Sequence, residues 1–265
     1  MFAIRANHAF DGEDFRAGGA TVLVDDAGIV GVEPLRYEPP SDCDLVDYGD
    51  ATVLPGLIDT HVHLVGDSRV MALERLAEYS PEEIDAVVIE SLRRQLAAGV
   101  TTVRDLGDWH FNVVERPTLG GFNTKSLAAL LAVAPPFQQI FADAGLTPES
   151  YLEIRMSALR RMTTFGVRLI SGDDAGIGPD KAHGRYAEAV IELEQVTDTM
   201  PALVAASSDA AAAIGLGRSK GRLLRGYDAD LLVVGGDLAA DLTALRDVRQ
   251  VVLRGVPVSP RSGQS

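Results

Sequence analysis

The hydrophobic period of this chain changes twice, and that double change limits what it can fold into. From Met1 to about Thr52 the text consists of short alternating runs and turns. Among them is "TVLVDDAGIVGVE", where two alternating stretches flank an Asp-Ala-Gly turn in the manner of a β-hairpin. The same texture returns from Gly221 to about Val258 in "GRLLRGYDADLLVVGGDL" and "DVRQVVLRGVPV". Neither piece is long enough to bury a core alone. A small composite β-sandwich built from residues 1–52 and 217–265 is therefore expected, with residues 53–216 inserted between its halves.

The insertion is written in another period. "PEEIDAVVIESLRRQLAAG" predicts a helix with Ser80 as N-cap, Pro81 at its first position, acids in its first turn and Gly99 at its end. The β-branched "VTTVRDLG" follows at once. "PESYLEIRMSALRRMTTFG", with Thr147 as cap, repeats the format and runs into "VRLISGDDAG", read as another strand. The Ala-rich "AASSDAAAAIG" predicts a further helix closed by a glycine. Helix, glycine, strand and polar loop in succession is the grammar of α/β units on a parallel sheet.

Bulk properties exclude some function classes. A formal charge of -14 disfavours phosphate backbones and anionic membranes, so no nucleic-acid or membrane partner is expected. The single cysteine, Cys43, rules out an intrachain disulfide and a cysteine zinc site, and points to the cytoplasm. "MFAIRANHAFDGEDF" lacks the basic start and apolar core of a signal peptide.

Chemistry concentrates at "LPGLIDTHVHL", Leu54 to Leu64. In a strand, Leu57, Asp59, His61 and His63 face one way, so both imidazoles point to one side at the strand's C-terminal end. That is the end at which α/β barrels carry their active sites. Two imidazoles so spaced can bind a metal, but zinc normally takes three or four protein ligands, and with five histidines in the chain such a pair can also arise by chance. Asp173-Asp174, in "VRLISGDDAGIG", stand at a second predicted strand end. Alternation sends only one of the two inward, and either could instead be a helix cap. His183, in "DKAHGRY", lies in the following loop.

"PGLIDTHVHL", "AAGVTTVRDLG", "VRLISGDDAG" and "GRLLRGYDADLLVVGGDL", in that order, resemble the amidohydrolase superfamily, specifically its imidazolonepropionase-like and Xaa-Pro-dipeptidase-like branch. The resemblance implies a (β/α)8 barrel with a composite β-sandwich, and metal-dependent hydrolysis of amide or related C–N bonds. It implies that His61 and His63 are metal ligands from the first barrel strand and that Asp174 is both ligand and proton acceptor. Asp173 stands where relatives carry Ser or Thr.

The resemblance also calls for a carboxylated lysine from a fourth strand and histidines from a fifth and a sixth, and none can be placed. Lys125, Lys181 and Lys220 all lie outside β-branched runs, His8 belongs to the first β segment, and His110 follows the second barrel strand. Residues 53–216 are also too few for a full barrel, which takes about 250. The text passes from "VRDLGDWHFNVVE", resembling strand two, to "RPTLGGF", resembling strand seven. The expected fold class is thus α/β: an incomplete TIM-type barrel of about half its strands, with the sandwich.

From this follow the functional expectations. One divalent metal, zinc by its ligands, would be held by His61, His63 and Asp174, with Asp174 the catalytic group and His183 and His110 on offer to a small-molecule amide substrate. The exposed sheet edges would favour a homodimer. The alternative is a catalytically inactive, truncated relative acting as a binding or scaffold protein or without function.

Overall fold

A computed structural model describes residues 1–106, 143 and 145–258. The first β segment forms β1 (Phe2–Ala6), β2 (His8–Phe10), β3 (Phe15–Arg16), β4 (Ala20–Asp25), β5 (Gly28–Glu33), β6 (Asp44–Asp47) and β7 (Ala51–Pro55). The hairpin expected around Asp26 is present, with β4 and β5 antiparallel and Asp26 in the left-handed region at φ 48°. Strands β5, β4, β1 and β6, in that order, make a four-stranded sheet.

The other end of the chain supplies β10 (Leu231–Gly235), β11 (Val248–Leu253) and β12 (Val256–Val258). These join the N-terminal strands in a six-stranded sheet of order β12-β11-β10-β7-β2-β3. Strand β10 pairs antiparallel with β7, Leu231 facing Pro55 and Gly235 facing Ala51. Alternation along β10 then divides the core. Leu231 and Val233 pack with Ile4, Val22 and Ile29 between the two sheets. Leu232 and Val234 point the other way, into a second cluster with Leu57, Tyr186, Val190 and Leu203. Strand β10 therefore contributes to both cores, and Phe10, Leu54, Leu242 and Val251 join it in the second.

That remainder begins with β8 (Leu57–Val62), followed by α1 (Pro81–Ala97) and β9 (Val100–Asp105), and resumes with α2 (Pro148–Thr164), α3 (Tyr186–Glu194), α4 (Thr199–Ala205) and α5 (Ser208–Ala213). Helix α1 has the predicted start: the Ser80 hydroxyl accepts from the Glu83 amide while the Glu83 carboxylate accepts from the Ser80 amide. Thr147 and Ser150 form the same box on α2.

Strands β8 and β9 pair in parallel. On the opposite side of β8 the chain from Ser171 to Ala175 runs alongside, with Thr60 N–H donating to Ser171 C=O at 3.3 Å, Asp174 N–H to His61 C=O at 2.9 Å and His63 N–H to Ala175 C=O at 2.8 Å. The result is a partial, unclosed barrel-like sheet. The expected strand over "VRLISG" is not a regular one; beside those hydrogen bonds, the segment forms one parallel β-bridge to β8, Val62 to Ala175, just beyond it. The left-handed backbone of Asp174, φ 63°, interrupts the extended run, and Gly172 lets the chain approach β8 so closely that a Cβ there would stand 2.8 Å from the His61 Cβ. The segment read as strand seven lies outside the described residues.

Candidate metal centre

Strand β8 delivers the two histidines. Tyr186, at the start of α3, donates its buried hydroxyl to the Ile58 carbonyl at 2.7 Å, fixing the strand against the helix. His61 lies near the end of β8 and His63 one residue beyond it, and their rings are 5.3 Å apart between centroids. Across the gap, Asp174 places Oδ1 3.1 Å from His61 Nε2 and 3.0 Å from His63 Nε2. Among the described residues, His61, His63 and Asp174 are the one group of histidine, cysteine or carboxylate side chains close enough to hold a metal ion together. Two imidazoles and one carboxylate converging on one point fit a divalent ion with open coordination positions. Such a site has its metal-binding imidazoles oriented through their other nitrogen, yet neither His61 Nδ1 nor His63 Nδ1 has a hydrogen-bond partner among the described residues.

Asp174 has a further contact that the sequence reading did not anticipate. Lys181 Nζ lies 2.7 Å from Asp174 Oδ2, and only 12% of the lysine side chain is exposed. Burial pushes the Asp174 carboxyl up, but hydrogen bonds from His61 and His63 and the Lys181 ammonium outweigh it and hold the group well below the ordinary carboxylate range. Lys181 escaped notice because it sits in a loop seven residues on. The available signal was the glycine-rich "GIGPDK", whose short spacing lets the chain fold back onto the strand end.

Under the histidines lies a second acidic group. Asp59 and Asp173 are both buried and in hydrogen-bond contact, and burial raises both carboxyls above their ordinary values, Asp59 the more strongly. A buried acid pair of this kind titrates as a pair, because two carboxylates in contact do not both ionise readily. Asp59 also accepts from the His61 amide at 3.1 Å, the Asp173 amide at 3.3 Å and the Gln95 side-chain amide at 3.2 Å. Alternation predicted that only one of Asp173 and Asp174 would turn inward. Both are engaged, because the left-handed turn at Asp174 lets Asp173 reach Asp59 while Asp174 reaches the histidines.

His183 is buried, with Nε2 3.3 Å from the Gly66 carbonyl, and burial pulls its pKa down to about 4, so the ring is neutral at pH 7. It borders a cavity of about 250 Å³ lined also by Asp67, Arg69, Glu90 and Arg94. His110 and Lys125 lie outside the described residues. His8 is remote from this centre in β2, 3.1 Å from Asp50, and Lys220 pairs with Asp228 and Asp230 near β10.

A family model described as the amidohydrolase family matches residues 83–259, well over half of the sequence. The chain belongs to the amidohydrolase family. Among curated relatives, it is 28% identical over 176 residues to an enamidase of Eubacterium barkeri, an alignment covering 62% of this chain and 41% of the relative. It is 30% identical over 153 residues to an imidazolonepropionase of Salinispora arenicola, covering 51% of this chain and 36% of that one. This amidohydrolase thus aligns with about two-fifths of the length of the curated relatives it matches. Its fold resembles that of a Xaa-Pro dipeptidase solved with methionine in its active site, with TM-score 0.72 and 15% identity over 97% of this chain and 99% of the other. A molinate hydrolase gives TM-score 0.73 at 15% identity, over 97% and 94%. As an amidohydrolase, the chain presents an incomplete ligand set: two histidines and one aspartate among the described residues, without the further ligands the family resemblance calls for.

Proposed function

We propose that this amidohydrolase hydrolyses an amide or other non-peptide C–N bond, or an Xaa-Pro-like dipeptide, at one divalent ion, zinc by its donor set, held by His61, His63 and Asp174. The observation that carries this reading is the convergence of both Nε2 atoms on Asp174 Oδ1. A divalent ion there would lower the pKa of water toward about 7, making a nucleophile available near neutrality. Asp174 is assigned the proton: Oδ1 would face the ion, and Oδ2, which Lys181 holds, would have to leave that ammonium to accept the proton and return it to the leaving nitrogen. The substrate side is assigned to His183, whose ring is neutral, and to His110.

The reaction expected is slow. A carbonyl oxygen needs a second electrophile, and loss of one such group commonly costs about 100-fold or more. The unpartnered Nδ1 atoms lower metal affinity further, since outer-shell partners are worth roughly 10–100-fold. The incomplete ligand set also favours a second reading, an inactive binding or scaffold protein. The proposal further includes a cytoplasmic location and a division into a composite sandwich, 1–52 with 217–265, and a partial barrel, 53–216.

A direct test is hydrolysis of acylated amino acids, Xaa-Pro dipeptides and cyclic amides by zinc-reconstituted and chelator-stripped protein. Slow turnover with zinc, abolished by chelation and by Asp174→Asn, is expected. Turnover unchanged by either treatment contradicts the proposal, and no turnover under any condition favours the scaffold reading.

A further inference from the structure

The loop after Asp174 is shaped to return a cation to it. Gly176 N–H donates to Lys181 C=O at 2.7 Å and Lys181 N–H donates to Gly178 C=O at 3.1 Å, closing residues 176–181 on themselves. Gly176 is left-handed at φ 107°, and a Cβ there would stand 2.2 Å from the His63 carbonyl oxygen, so this tight return is open only to glycine. Lys181 closes the short helical turn Pro179–Lys181, and its side chain is directed to Asp174 Oδ2.

We infer that Lys181 is a resident cation that shares Asp174 with the metal: its ammonium neutralises Oδ2, leaves Oδ1 as the one ligand atom of that carboxylate, and sets the affinity of the centre for a divalent ion. This inference rests on the reading of His61, His63 and Asp174 as a metal site and adds what limits that site. Two opposing effects decide its sign. Holding Asp174 in one rotamer aids binding by the small entropy of a short side chain. Against it, a fixed positive charge on the same carboxylate repels an incoming divalent ion, and in a part-buried setting that repulsion is the larger quantity. Lys181 is thus a positioning residue whose net effect weakens metal binding. In the metal-free chain it also supplies the counter-charge that a part-buried Asp174 requires.

The test is calorimetric titration of the full chain with Co²⁺, read in parallel by ligand-field absorption, on wild type, Lys181→Met, Lys181→Gln and Lys181→Arg. Lys181→Met and Lys181→Gln are expected to bind Co²⁺ at least about tenfold more tightly than wild type. Lys181→Arg, keeping the charge, is expected to remain near wild type. The two neutral variants should also melt lower than wild type without metal and gain more on adding Co²⁺. Having two neutral variants guards against a failure of either to fold. If wild type binds and the neutral variants bind equally or more weakly, the inference is overturned and the metal site stands, since a merely structural lysine would change stability without tightening binding. If neither wild type nor any variant binds Co²⁺, the metal-site reading falls and this inference with it.

Discussion

Single residues decide how the site is assembled, and they do so through backbone contacts as much as through charge. Gln95, buried near the end of α1, donates to Asp59 at 3.2 Å and accepts from the Gly184 amide at 3.1 Å. It therefore ties together the strand bearing the histidines, the helix and the loop that follows Lys181. Gln95→Leu keeps similar bulk but leaves a buried amide and a carboxyl oxygen unmatched, so a loss of about 1–3 kcal/mol is expected in urea denaturation. An unchanged midpoint with an unchanged slope would contradict that role. His61 and His63 were legible from their spacing at a strand end. Gln95 was not, because a polar residue on a helix rich in Glu and Arg gives no sign of which face turns inward. Lys181 was illegible for a related reason: its distance from Asp174 depends on left-handed glycine geometry, which the residue letters permit without dictating.

At the level of elements, short-range signals held where local chemistry determines structure. The caps at Ser80 and Thr147 and the β4–β5 hairpin follow from capping and turn residues, whereas the pairing of β10 with β7 is a long-range contact that no local signal names. The expected strand over "VRLISG" failed because β-branched residues announce an extended chain without announcing a ladder, and the left-handed backbone of Asp174 interrupts the extended run beside β8. The remaining elements leave apolar surface uncovered among the described residues. Ile89 and Leu92 of α1 are exposed, as are Ile154 of α2 and the following Phe165, the last at 78%. Helix faces of this composition ordinarily pack against a neighbour, and we propose that the homodimer expected from the sequence covers them, two copies meeting about the open barrel. Sedimentation equilibrium is expected to show a homodimer at micromolar concentration. A well-behaved monomer at all concentrations would remove that proposal.

Over the whole molecule, a shared apolar core joins the six-stranded sheet to β8 and the helices that carry the candidate centre. Leu232 and Val234 carry the packing from the sheets to Leu57 at the start of β8, six residues from His63. No helix among the described residues is long and apolar enough to cross a membrane. The family, the partial barrel and the three converging side chains are consistent with one another, but what they hold depends on whether three donors suffice while Lys181 occupies part of one of them. The decisive measurement is metal per chain by mass spectrometry, on protein purified without chelator and incubated with zinc, beside the His61→Ala/His63→Ala double variant. About one zinc per folded chain, lost in the double variant, is the predicted result. Zinc retained at the same level by the double variant, or absent from both proteins, would contradict the account.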